Sequence, residues 1–138
     1  MFCYQCEQTA KGTGCTVAGV CGKDARTAAL QDWLNYQAKS IGACAFLAAQ
    51  SGAVDRDVDR FITEALFSTI TNVNFDPERL AALLRKSEQV LERAKALDAK
   101  AGAQKKHIPA TGSRDAVGPL AGDLDGLVRQ GESLAFPA

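Results

Sequence analysis

Five cysteines and one histidine are the residues of this chain best suited to chemistry, and four of the cysteines crowd into its first twenty-one positions. Their spacing is Cys3-x2-Cys6-x8-Cys15-x5-Cys21. A Cys-x2-Cys pair brings two thiolates onto neighbouring metal positions within one tight turn. Two further cysteines on glycine-bearing loop can fold back to complete four ligands. Four thiolates suit tetrahedral zinc or an iron–sulfur cluster. Zinc usually takes two close pairs separated by a spacer. Here only Cys3 and Cys6 are close, and the staggered pair Cys15 and Cys21 fits the corners of a cubane better. Zinc, disulfides and unrelated thiols stay open on spacing alone.

The remaining candidates carry less. Cys44 stands on an apolar helical stripe and reads as an inert buried thiol. His107 adjoins Lys105 and Lys106 without a second ligand at metal spacing, and reads as solvated. Gly12-x-Gly14 is too short for a phosphate loop. Tyr4, Gln5, Glu7 and Gln8 lie among the cysteines and could tune a cluster through hydrogen bonds, although as loop surface they would look the same. Backbone amides near Gly14, Gly19 and Gly22 are better placed to donate to sulfur. Phe2, Val17 and Val20 are candidates to shield the site from water.

The elements that must position these residues are helical. Residues 1–22 have no period and are punctuated by Gly12, Gly14, Gly19 and Gly22, which lets the backbone wrap closely. Asp24 is an N-cap for a helix over 25–50, with Leu30, Leu34, Ile41, Ala45 and Ala48 as its stripe and Ser51-Gly52 as its stop. A second helix is expected over 55–71, with Val58, Phe61, Ile62, Ala65, Leu66, Thr69, Ile70 and Val73 as its apolar face. Asp76-Pro77-Glu78 opens a third, which should stop near Gly102. Residues 102–122 read as a linker, and 123–133 as a short helix weakened by Gly126 and Gly131. The expectation is one all-α domain over 1–138. It comprises a cluster-binding loop (1–22), an up-down-up three-helix bundle (24–101), a linker (102–122), and a short helix with tail (123–138).

Composition narrows the classes. The chain has 138 residues, with sixteen Lys+Arg against sixteen Asp+Glu. A zero net charge argues against nucleic-acid and polybasic membrane-surface binding. No apolar run reaches the ~18 residues of a membrane span, and no signal peptide is legible. A cytoplasmic, reducing compartment is expected, where clustered cysteines bind metal or do redox chemistry more often than they form disulfides.

The segment Met1-Phe-Cys-Tyr-Gln-Cys-Glu-Gln-Thr-Ala-Lys-Gly-Thr-Gly-Cys-Thr, followed by Val20-Cys21-Gly22-Lys23-Asp24, closely resembles the start of the hybrid cluster protein (prismane) family. The likeness continues at Ala29-Leu30-Gln31-Asp32 and at Glu64 through Asp76, and is fainter at Gly122-Asp123-Leu124 with Gln130-Gly131-Glu132. The family comprises hydroxylamine reductases and is related to nickel carbon monoxide dehydrogenases. The resemblance implies Cys3, Cys6, Cys15 and Cys21 as ligands of a [4Fe–4S] cluster, since a different spacing holds [2Fe–2S] in other members. It also implies that the helices belong to the first part of a helical domain. Family enzymes are several times longer. Their catalytic hybrid cluster takes cysteines, a histidine and glutamates from beyond this region, whereas after Cys21 this chain offers one cysteine, Cys44, and one histidine, His107. The resemblance therefore implies an electron-transfer module without the catalytic body, so that enzymatic activity of this chain alone is uncertain. Its partner would be a redox protein or the catalytic hybrid-cluster polypeptide. Self-association, an assembly role and a structural four-cysteine zinc domain are the alternatives. Trp33, Asn35, Gln37 and Ser40, unusually polar or bulky for the family's first helix, suggest a surface adapted to standing alone or to a new partner, although Trp33 and Tyr36 are most simply core or interface aromatics.

Overall fold

The computed structural model describes residues 1–70, 74–100 and 119–134. Four helices follow the N-terminal loop: α1 (Ala25–Gln50), α2 (Arg56–Ile70), α3 (Pro77–Lys100) and α4 (Leu124–Ser133). There is no sheet among the described residues, so the class is all-α. No described helix is long and apolar enough to cross a membrane.

Local chemistry sets the helix ends. Asp24 accepts the Thr27 N–H at 2.7 Å and caps α1. At the other end, Gly52 has φ +81°. Its N–H reaches the Ala49 carbonyl at 2.9 Å and the Ala53 N–H reaches that of Ala48 at 3.1 Å, which is a Schellman stop. Asp55 accepts the Asp57 N–H at 3.0 Å ahead of α2. Asp76 accepts the N–H groups of Glu78 and Arg79 at 2.9 and 3.3 Å, and Pro77 takes the first position of α3.

α1 is the central element and touches the other three. Its Leu30, Trp33, Leu34, Ala38 and Ile41 meet Val58, Phe61 and Ala65 of α2, Leu80, Leu84 and Leu91 of α3, and Leu127 of α4 in one core. Gln31 and Gln37 are also wholly buried on α1. The Gln31 amide donates to the Asn74 carbonyl at 3.0 Å and ties α1 to the start of α3.

The structure corrects four expectations. Gln37 is core, not surface, Trp33 is the core aromatic that its type suggests, and Asn35 accepts from the Thr69 hydroxyl at 3.0 Å between α1 and α2. On α2, Leu66 and Ile70 are exposed, whereas Ser68 and Thr69 are buried. The helix seats one edge on the core, and both hydroxyls satisfy themselves against the preceding turn at Ala65 and Leu66. The short helix α4 is an integral member of the bundle, not an appendage to three helices. Its glycines are the reason: a Cβ on Gly131 would lie 2.1 Å from the Ala29 carbonyl oxygen, so only glycine lets α4 approach α1 this closely. The end of the expected linker is also docked, with the Leu120 N–H on Glu88 at 3.3 Å and the Gly122 carbonyl accepting from Arg85 at 3.2 Å. Residues 101–118, including Lys105, Lys106 and His107, and residues 71–73 and 135–138 lie outside the described residues.

Candidate metal centre

Cys3 and Cys15 form an isolated antiparallel bridge, the Cys3 N–H donating to the Cys15 carbonyl at 3.0 Å and the Cys15 N–H to that of Cys3 at 2.9 Å. Directly opposed residues of such a pair carry their side chains on the same face. The intervening loop turns at Ala10–Gly12, where Lys11 (φ 55°) and Gly12 (φ 70°) both have positive φ. Gly14 then takes φ +122°, and a Cβ there would stand 2.4 Å from the Phe2 ring. After Cys15 the chain makes a second turn, with the Gly22 N–H on the Gly19 carbonyl at 2.9 Å and the Gly19 N–H on the Lys23 carbonyl at 2.7 Å. A Cβ on Gly19 would crowd Lys23 Cβ at 2.9 Å and Cys21 Sγ at 3.1 Å.

All four loop thiols are free: Cys15 is buried, Cys3 and Cys6 are half-buried, and Cys21 is exposed. The Ala10 N–H points at Cys15 Sγ across 3.5 Å. That amide and the Val20 amide hold the Cys15 thiol below its ordinary pKa, outweighing burial, and the Lys23 charge adds to the effect. The structure thus pairs Cys3 with Cys15. Among the described residues it gathers no group of three or more His, Cys, Asp or Glu side chains around a metal position. Cys6 and Cys21 sit in the same loop without closing such a group.

Lys23 is the residue that sequence reasoning missed. It is 1% exposed. Its ammonium lies 3.7 Å from Cys3 Sγ and 3.1 Å from Gln5 Oε1, with the Phe75 ring centroid 5.9 Å away. A buried ammonium is costly unless negative charge offsets it. On α1 nearby, burial pushes the Asp32 carboxyl up to about 6, partly opposed by Lys23. The one sequence signal was position: a lone lysine between the last loop cysteine and the Asp24 cap.

Other expectations shift. Sulfur is met by the amides of Ala10 and Val20, while those of Gly19 and Gly22 serve the turn. Val17 and Val20 are exposed, whereas Phe2 covers Gly14. Tyr4, Glu7 and Gln8 are loop surface. Cys44 is half-buried and packs against the core.

The donor set suits a thiolate-bound metal. Four free thiols share one loop, an amide already points at one of them, and a buried cation waits beside another. A tetrathiolate iron or zinc site carries net negative charge, which is the complement a buried Lys23 needs.

Comparison with known proteins extends beyond the loop. The sequence profile of the Prismane/CO dehydrogenase family matches residues 1–121. The hydroxylamine reductase of Geobacter sulfurreducens is 47% identical over 133 residues, covering 95% of this chain and 24% of that protein. That of Desulfitobacterium hafniense is 52% identical over 102 residues, covering 74% of this chain and 19% of the relative. That of Methanocella arvoryzae is 43% identical over 136 residues, covering 99% and 24%. The chain therefore spans about a quarter of the length of the curated relatives it matches.

Proposed function

The chain belongs to the Prismane/CO dehydrogenase family, and on that premise we propose that it is an iron–sulfur electron-transfer module in which Cys3, Cys6, Cys15 and Cys21 hold a [4Fe–4S] cluster. The observation that carries this reading is the two-way backbone pairing of Cys3 with Cys15, which sets two of the four cysteines side by side on one face. Cys6 and Cys21 lie three and six residues from these anchors in the same loop and would supply the other two ligands. When bound, the cluster supplies one-electron redox chemistry. The chain's own residues do the rest. Ala10 and Val20 stabilise the Cys15 thiolate through their amides, Phe2 covers Gly14, and the Asp24 cap fixes the loop to α1.

The curated relatives are named hydroxylamine reductases. For this chain we propose only the relay in such a reaction: electrons pass through the loop site to a catalytic hybrid-cluster polypeptide that reduces hydroxylamine or nitric oxide. Docking to that polypeptide is supported by the exposed Leu66, Phe67 and Ile70 on α2. Of these, Phe67 lines an α2–α3 groove of about 750 Å³ together with Leu83. Light scattering on a mixture of the two should give a complex. A clean monomer that ignores the polypeptide would contradict the docking.

Visible absorption of anaerobically prepared protein tests the cofactor. A brown chain that bleaches with dithionite is expected. A colourless chain carrying zinc would make this a structural domain.

A further inference from the structure

We propose that Lys23 is the positioning residue that sets the reduction potential of this site, its buried ammonium raising the affinity of the cluster for an electron. The inference rests on the cluster reading above and adds an energetic role for a side chain that is not a ligand.

Three observations carry it. The ammonium stands 3.7 Å from Cys3 Sγ, a ligand sulfur under that reading. Gln5 Oε1 at 3.1 Å and the Phe75 ring fix its position, so the charge cannot swing away to solvent. Lys23 is also 1% exposed, which leaves its field poorly screened by water and salt. Reduction adds one negative charge to the iron–sulfur unit and spreads part of it onto the sulfurs. A fixed cation this close stabilises the reduced form more than the oxidised form, and the potential rises. Packing alone does not require the charge, because an apolar side chain of the same length would fill the space without a buried ammonium. Lys11 provides the contrast: it carries the same charge in the same loop but is solvent-exposed.

Anaerobic redox titration of the full chain tests this, preceded by iron and sulfide analysis of each protein. Lys23→Met should bind an electron about tenfold less tightly, a fall of 59 mV for a one-electron couple. Lys23→Arg, which keeps the charge, should stay within about threefold of the parent, as should Lys11→Met. A loaded Lys23→Met protein with the parent potential overturns the assignment, as does Lys23→Arg falling as far as Lys23→Met. If Lys23→Met and Lys23→Gln both fail to load while Lys23→Arg loads at the parent potential, the cation serves cluster assembly and the assignment to the potential is overturned. Loss of folding in all three makes Lys23 a packing residue and overturns it. A parent protein without iron and sulfide removes the cluster reading itself, and this inference with it.

Discussion

Gly131 of α4 lies directly against the backbone of Ala29 in α1, with room for a hydrogen but not for a methyl group: a Cβ would sit 2.1 Å from the Ala29 oxygen. This contact holds the last helix on the helix that anchors the cysteine loop. Gly131→Ala should therefore destabilise the fold by about 1–3 kcal/mol, overpacking outweighing the gain in helix propensity. Gly42, in the middle of α1, has open space around it. Gly42→Ala should stabilise by up to about 1 kcal/mol. Urea melts of the two variants read the opposite signs, and equal signs would contradict this arrangement of α4 on α1.

Gln37 is wholly buried with neither amide atom hydrogen-bonded among the described residues. Leaving a polar group in that state costs about 1–3 kcal/mol. Gln37→Leu should raise stability by a similar amount in chemical denaturation. A loss of stability would mean that the amide is satisfied by water or by a partner.

How much of this was legible in the sequence depends on where the cause was local. Asp24, Ser51-Gly52 and Asp76-Pro77 announced three helix ends, because caps and stops act within a few residues. Thr69, buried with its hydroxyl shared between Asn35 and the Leu66 carbonyl, and the exposed Ile70 were not separable by helical period alone. Which edge of α2 meets α1 is a tertiary choice. Gly131 looked like a helix breaker because the Ala29 carbonyl that demands glycine is about a hundred residues away in sequence. Cys3, Cys6, Cys15 and Cys21 were legible as candidate ligands from spacing and family likeness, and the structure pairs two of them, Cys3 and Cys15. Lys23 was not, since burial of an ammonium beside Cys3 arises only when the loop folds back.

Asp32 gives the chain a pH signature. Burial raises its folded pKa to about 6. A group raised on folding contributes stability that is fully present below its ordinary pKa and is lost as pH rises through about 6. Asp32→Asn removes that loss. Between pH 4 and pH 7.5 the stability difference should swing toward the variant by about 1–2 kcal/mol, after allowance for partial solvent screening. Parallel stability curves for the two proteins would contradict it.

Cys15 and Cys44 should separate ligand from filler. Cys15→Ser should abolish stoichiometric metal, because it removes the thiol that the Ala10 amide already meets. Cys44→Ser should keep full metal content and lose about 1 kcal/mol or less of stability, since the site is only half-buried. Iron analysis of the two purified variants decides it. Full loading of Cys15→Ser would mean that the ligand set is wrong.

On the proposed reading, residues 3–21 hold a thiolate-bound iron–sulfur cluster. The most direct test of that reading is quantitation of iron and acid-labile sulfide in anaerobically purified protein, with EPR after dithionite reduction. About four iron and four sulfide per chain, with a paramagnetic signal on reduction, is the predicted result. About one zinc per chain, without sulfide or signal, would contradict it.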